Sequence, residues 1–141
     1  MSANRGAANG RGVTEDRRQA TVLFADLSGF TATSRQMDPE DLKDTINDCF
    51  HVIERIVVEH GGTIDKYIGD CVMALFGAPT ALEHAAQHAI NAAIAIRAGV
   101  DSFDVDRRLP VPLRVHIGIN TGLVAAGNVG GSDRRDYTVM G

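Results

Sequence analysis

The chain has 141 residues, room for one compact domain with one sizeable core and too few for two. Hydrophobic residues make up 44% and charged residues 23%, an ordinary globular balance. A net charge of −4, 5% aromatics and no tryptophan leave neither a basic stripe for nucleic acid nor platforms on which bases would stack. Cys49 and Cys71 lie in apolar stretches without metal-ligand spacing and read as small buried thiols of a reducing compartment. No apolar run reaches the roughly 20 residues that span a bilayer. The first 13 residues lack the apolar segment of a secretory signal, so a cytoplasmic location is expected.

Residues 1–17, rich in Gly, Ala and Asn without periodicity, are expected to form a disordered tail, and residues 18–141 the domain. Residues 19–26 (QATVLFAD) have the length and composition of a strand. Asp38-Pro39-Glu40-Asp41 reads as a helix start: a capping carboxylate, a proline suited to the first turn, then acids at the positive end of the dipole. Leu42, Ile46, Phe50, Ile53 and Val57 recur at three- and four-residue spacing and make one apolar face, closed by Gly61-Gly62.

Two strand-like runs, 63–68 and 71–76, are separated only by Gly69-Asp70, a two-residue hairpin signal. After the break at Gly77-Ala78-Pro79, a helix is expected over 81–98 with Ala86, Ile90, Ala93 and Ile94 as its buried stripe. Residues 101–110 read as a polar loop, 113–120 as a strand, and 123–126 and 137–140 as further short strands around a Gly-rich turn. The order β-α-β-β-α-β is that of a ferredoxin-like α+β sandwich. In that unit the first and third strands are antiparallel neighbours at the centre of the sheet. Asp26 ends one and Asp70 begins the other, so two carboxylates distant in sequence should meet at one edge.

Paired carboxylates repel unless protonated or bridged by a cation. Their hard oxygens suit Mg²⁺ or Mn²⁺, which keep waters and substrate phosphates as their remaining ligands. Two such ions per site would activate a hydroxyl and neutralise a leaving pyrophosphate. The small residues of Leu27-Ser28-Gly29-Phe30-Thr31, just after Asp26, leave backbone N–H groups to cradle phosphate oxygens. His84 and His88 are four apart on an expected helix but lack a third ligand, and they read as solvent-side residues. His51, His60 and His116 suggest nothing beyond packing or caps.

Five segments, in order, resemble the class III adenylyl and guanylyl cyclases. They are Phe24-Ala25-Asp26-Leu27-Ser28-Gly29-Phe30-Thr31, Asp65-Lys66-Tyr67-Ile68-Gly69-Asp70, Phe76-Gly77-Ala78-Pro79, His116-Ile117-Gly118-Ile119-Asn120-Thr121-Gly122 and Asp136-Tyr137-Thr138-Val139-Met140-Gly141. The resemblance implies that Asp26 and Asp70 are catalytic metal ligands, and that the Phe30-Thr31 backbone holds the triphosphate. It implies Lys66 and Thr138 as the pair that reads adenine, where guanylyl cyclases usually carry Glu and Cys, so ATP is the expected substrate. It further implies a head-to-tail homodimer whose sites are each shared between two chains, and a reaction that yields cyclic AMP and pyrophosphate for intracellular signalling. Arg134 or Arg135 is expected to reach the terminal phosphates.

The family pattern runs on into a helix carrying an Asn and an Arg that serve the ribose and the transition state. These 141 residues contain neither, so the domain reads as incomplete at its C-terminus and little turnover is expected from the chain alone. A polymerase-like palm would show a basic template path. A diguanylate-cyclase-type domain would carry a Gly-Gly-Glu/Asp-Glu-Phe hairpin in place of Ile68-Gly69-Asp70-Cys71. A guanylate cyclase and a catalytically dead nucleotide-binding or dimerisation module stand as the alternatives.

Overall fold

The computed structural model describes residues 16–128 and 135–139. In chain order the elements are β1 (Asp16–Asp26), α1 (Ser28–Thr33), α2 (Pro39–Glu59), β2 (Thr63–Ile68), β3 (Cys71–Phe76), α3 (Ala85–Arg107), β4 (His116–Asn128) and β5 (Arg135–Val139). The strands form one antiparallel sheet in the order β2-β3-β1-β4-β5. Its first four members reproduce the ferredoxin-like arrangement, with β1 and β3 adjacent at the centre.

The sheet carries two apolar faces because its strands alternate. Leu23 and Ala25 of β1 and Val72, Ala74 and Phe76 of β3 join the main core with Ile53 and Val57 of α2 and Ile96 of α3. Val22 of β1 and Met73 and Leu75 of β3 point the other way, into a smaller cluster with Ala20, Ala78 and Val124. The edge strands β2 and β5 come within 8 Å of each other, Cα to Cα, so the sheet curls round.

Helix α2 starts and stops where its sequence says. The Asp38 side chain accepts the Glu40 N–H at 3.1 Å, and Pro39 takes the first helical position. The apolar face is Ile46, Phe50, Ile53 and Val57, with Leu42 partly covered. At its end Gly61 takes φ +86°, a left-handed conformation that glycine adopts without strain. Gly62 is required for space: a Cβ there would lie 2.6 Å from the Phe76 ring.

Helix α3 differs from expectation in length and in phase. It begins at Ala85, after His84 at φ 57°, and runs to Arg107, through residues 101–107 that read as loop. Its buried residues are Ala89, Ala92, Ile96, Val100 and Phe103, while Ile90 is 44% and Ile94 64% exposed and Ala86 lies on the surface. In an alanine-rich helix several stripes have similar periodicity. The sheet selects the one that continues into Val100 and Phe103, and those two anchors carry the helix through the acidic segment. Arg107 secures the last turn, 2.6 Å from Asp48 of α2 and 4.8 Å above the Phe103 ring.

Strand β4 is likewise one element where two were expected, and residues 113–115 precede it. Its ladder with β1 is continuous from Asp16↔Ala126 to Asp26↔His116, and the Thr21 and Thr121 hydroxyls meet across it at 2.9 Å. This pairing keeps Thr121-Gly122 extended. The same ladder starts β1 at Asp16, three residues earlier than expected and inside the stretch assigned to the tail. Residues 1–15 and Met140 lie outside the described residues.

The phase of α3 is open to a direct check. Ile96→Ala should lower stability by about 2–5 kcal/mol, as for a buried Ile, while Ile94→Ala should change it by less than about 0.5 kcal/mol. Urea denaturation of the two variants measures both, and equal effects would mean that the helix sits in the other phase.

Candidate active site

Asp26 is the last residue of β1, the middle strand of the five, which pairs on both sides. It faces Cys71 across one ladder and His116 across the other. Asp70 precedes Cys71 in a two-residue turn closed by the Ile68↔Cys71 pair. Gly69 takes φ +60°, as the first central position of a type II′ turn demands. The Leu27 N–H donates to the Asp70 carbonyl at 3.0 Å and ties the residue after Asp26 to Asp70 itself. The two carboxylate-bearing residues therefore sit at neighbouring strand ends, held by backbone bonds on both sides.

The carboxyl of Asp26 is set up to stay ionised. The Ser28 backbone N–H reaches its Oδ1 at 2.7 Å, and this bond, then one with the Ser28 side chain, holds its pKa below the usual 3.8. Desolvation opposes the shift, and the charge of His116 adds to it. Cys71 is held in the opposite sense: burial first, then the charge of Asp26, raises its thiol, which stays protonated at neutral pH. Cys49, buried in α2, is pushed up to about 12.

The donors present fit a hard divalent cation. Two carboxylate-bearing residues stand at neighbouring strand ends, the one sulfur beside them is a protonated thiol, and among the described residues no group of three or more His, Cys, Asp and Glu gathers as a zinc site would require. A pair of carboxylates with open positions left for waters and phosphates is how Mg²⁺ or Mn²⁺ is held.

The segment after Asp26 is helical rather than an open loop. Phe30 and Thr31 donate their N–H groups to the Leu27 carbonyl at 3.0 and 3.3 Å, so both amides are engaged within α1. The Phe30 side chain is buried in the main core. The Thr31 hydroxyl is buried and has no hydrogen-bond partner among the described residues.

Lys66 lies on β2, where a register irregularity between Ile64 and Lys66 displaces Asp65. Its Nζ is 3.7 Å from Asp65 Oδ2, and the two side chains are 23% and 5% exposed. Thr138 pairs with Ala125 and Arg135 with Asn128 in the β4–β5 ladder, and that ladder brings β5 close to β2. Arg134 lies outside the described residues.

Two residues of this neighbourhood were not singled out by the sequence. Asp65 is a nearly covered carboxylate beside the candidate base-reading lysine, and it depends on an irregularity that no local pattern announces. His116 lies opposite Asp26 and lowers its pKa, and its ring is 3.8 Å from where a Cβ on Gly29 would stand. Only the start of β4 and its register reveal that position.

The depressed pKa has a signed consequence. The stability contributed by the Asp26 bonds is fully present above pH 3.8 and is lost as pH falls through the lower folded-state value. Carboxyl-detected NMR should find Asp26 titrating below 3.8, and Ser28→Ala should raise its midpoint part of the way back, since the backbone N–H remains. No change in Ser28→Ala would remove the side-chain share.

Residues 13–141 match the family model of the adenylate and guanylate cyclase catalytic domain. Adenylate cyclase 1 of Rhizobium meliloti is 34% identical over 128 residues, covering 89% of this chain and 19% of that protein. Adenylate cyclase of Anabaena cylindrica is 36% identical over 130 residues, covering 88% and 25%. The chain thus spans no more than a quarter of the length of these relatives. Among solved structures, the guanylyl cyclase Cya2 superposes with a TM-score of 0.78 at 38% identity, covering 89% of this chain and 65% of that one. The adenylyl cyclase CyaB from P. aeruginosa gives 0.78 at 37%, covering 91% and 68%. With the fold, the strand-end carboxylates and these likenesses in agreement, the chain belongs to the adenylate and guanylate cyclase catalytic domain family.

Proposed function

We propose that this chain contributes the carboxylate half of the active site of an adenylate cyclase, which converts ATP to cyclic AMP and pyrophosphate. The observation that carries the proposal is the meeting of Asp26 and Asp70 at adjacent strand ends, locked by the Leu27–Asp70 backbone bond. The ribose 3′-oxygen bonds to the α-phosphorus, the bond from that phosphorus to the bridging oxygen breaks, and the hydroxyl proton leaves to solvent. Two Mg²⁺ or Mn²⁺ ions, when bound, supply acidification of that hydroxyl and charge neutralisation on the phosphates. Asp26 and Asp70 provide the oxygens that hold them, and the Ser28 N–H keeps Asp26 ionised for the task.

Lys66 serves as donor to an acceptor on adenine, braced by Asp65, with Thr138 as its partner. Lys66 and Asp70 lie on the two sides of one hairpin, too close in sequence to be assumed to serve a single nucleotide. As the family resemblance implies, the carboxylates of one protomer work with the lysine of the other in a head-to-tail homodimer with two equivalent sites. The Phe30-Thr31 segment lies beside the triphosphate, and Arg134 or Arg135 contacts its terminal phosphates. We place the reaction in the cytoplasm, in signalling. Among the described residues, no helix is long and apolar enough to cross a membrane.

A guanylate cyclase is the second reading, favoured by the 38% identity to Cya2. The two readings part at the base. The adenylate reading expects tighter Mn²⁺-dependent binding of ATP than of GTP, reversed in the double variant Lys66→Glu with Thr138→Cys. Calorimetric titration measures this, and a GTP preference in the unaltered chain selects the second reading. Asp26→Asn and Asp70→Asn should each weaken Mn²⁺-ATP binding by at least about tenfold. Binding that survives both substitutions would refute the carboxylate site. About a third of each solved cyclase chain lies outside the match, so residues 1–141 alone should release little cyclic AMP. Robust turnover by them in a Mn²⁺-ATP assay would contradict that expectation.

A further inference from the structure

The helix-covered side of the sheet holds a cavity that no step above uses. It has a volume of about 310 Å³ and lies between α2, the Thr31 end of α1 and the Gly69-Asp70 turn. This is at the small end of the range for organic-ligand sites, roughly 300–1,000 Å³. Leu42, Ile46 and Phe50 give it an apolar wall, and Lys43 and Asn47, one turn apart on α2, add an ammonium and an amide. Thr31 is also part of the lining, and its hydroxyl is buried with no hydrogen-bond partner among the described residues. A polar atom in that state carries a penalty that a bound group would relieve. Three of the four polar lining side chains among the described residues offer donors, and only Asp70 is purely an acceptor.

We propose that this cavity binds a small amphipathic organic anion. The apolar body of the anion packs on Leu42, Ile46 and Phe50, and its carboxylate takes hydrogen bonds from Lys43, Asn47 and Thr31. The site lies on the opposite side of the sheet from the Asp26 side chain, which alternates with Val22 and Phe24. It shares only Asp70 and Thr31 with the nucleotide site proposed above, and it stands whether or not that reading holds.

The test is a titration of the ¹⁵N-labelled chain with benzoate, followed by amide NMR. Acetate serves as the anion without a body, and toluene as the body without a charge. Saturable benzoate shifts centred on Thr31, Asn47 and Gly69, with weaker responses to either control, are the expected result. Lys43→Ala should weaken benzoate by about tenfold, as loss of a charge-assisted hydrogen bond implies, and Lys43→Arg should restore most of it. Ile46→Phe, which fills the cavity, should abolish binding. The proposal is overturned if the shifts do not saturate or centre elsewhere, which would leave water as the partner of Thr31. It is equally overturned if acetate matches benzoate, or if Lys43→Ala, a surface change that does not threaten the fold, leaves the affinity intact.

Discussion

The chemistry of this domain depends on one ladder, the antiparallel pairing of β1 with β3, and on the single backbone bond that continues it from Leu27 to Asp70. A carboxylate buried in the middle of a sheet would face a desolvation penalty of several kcal/mol and would protonate instead. At the end of the ladder the strands can be apolar throughout their length and still deliver two charges to a place that water and cations reach. Asp26 is half-buried there, and a backbone amide holds one of its oxygens. The position is rigid because β1 is bonded to β4 along its full length and to β3 from Thr21 to Asp26.

Around that ladder the sheet separates two environments. One face packs under α2 and α3 and supplies the main core. The other buries a smaller cluster as the sheet curls and β5 approaches β2. The curl matters for the proposed base-reading pair, since Lys66 and Thr138 lie on strands at opposite edges of the sheet order and come near each other only because the edges meet.

Helix cover over the sheet is uneven. Ile119 and Leu123 of β4 pair with Leu23 and Gln19 of β1, and so lie on the helix side, yet they are 38% and 47% exposed. The exposed Ile90 and Ile94 of α3 add to the apolar surface left open. α2 and α3 thus cover β1, β2 and β3 more fully than they cover β4.

Local chemistry was enough to define α2, the β2–β3 hairpin and the two aspartates. Asp38-Pro39, the Leu42-to-Val57 spacing, Gly61-Gly62 and Gly69-Asp70 each act through dihedral angles and hydrogen bonds only a few residues away. For that reason they were legible in the linear chain, and the βαββαβ order that places Asp26 beside Asp70 followed from them. Long-range packing decided the rest. In α3 the alanine-rich sequence offers several equivalent stripes, and only contact with the sheet chose Ala89, Ile96 and Phe103 over Ile90 and Ile94. In β4 an eleven-residue partner strand overrode the turn tendency of Thr121-Gly122. The placement of His116 against Asp26, the cover over Asp65 and the cavity beside α2 arise from registers between distant segments, which a linear sequence does not display.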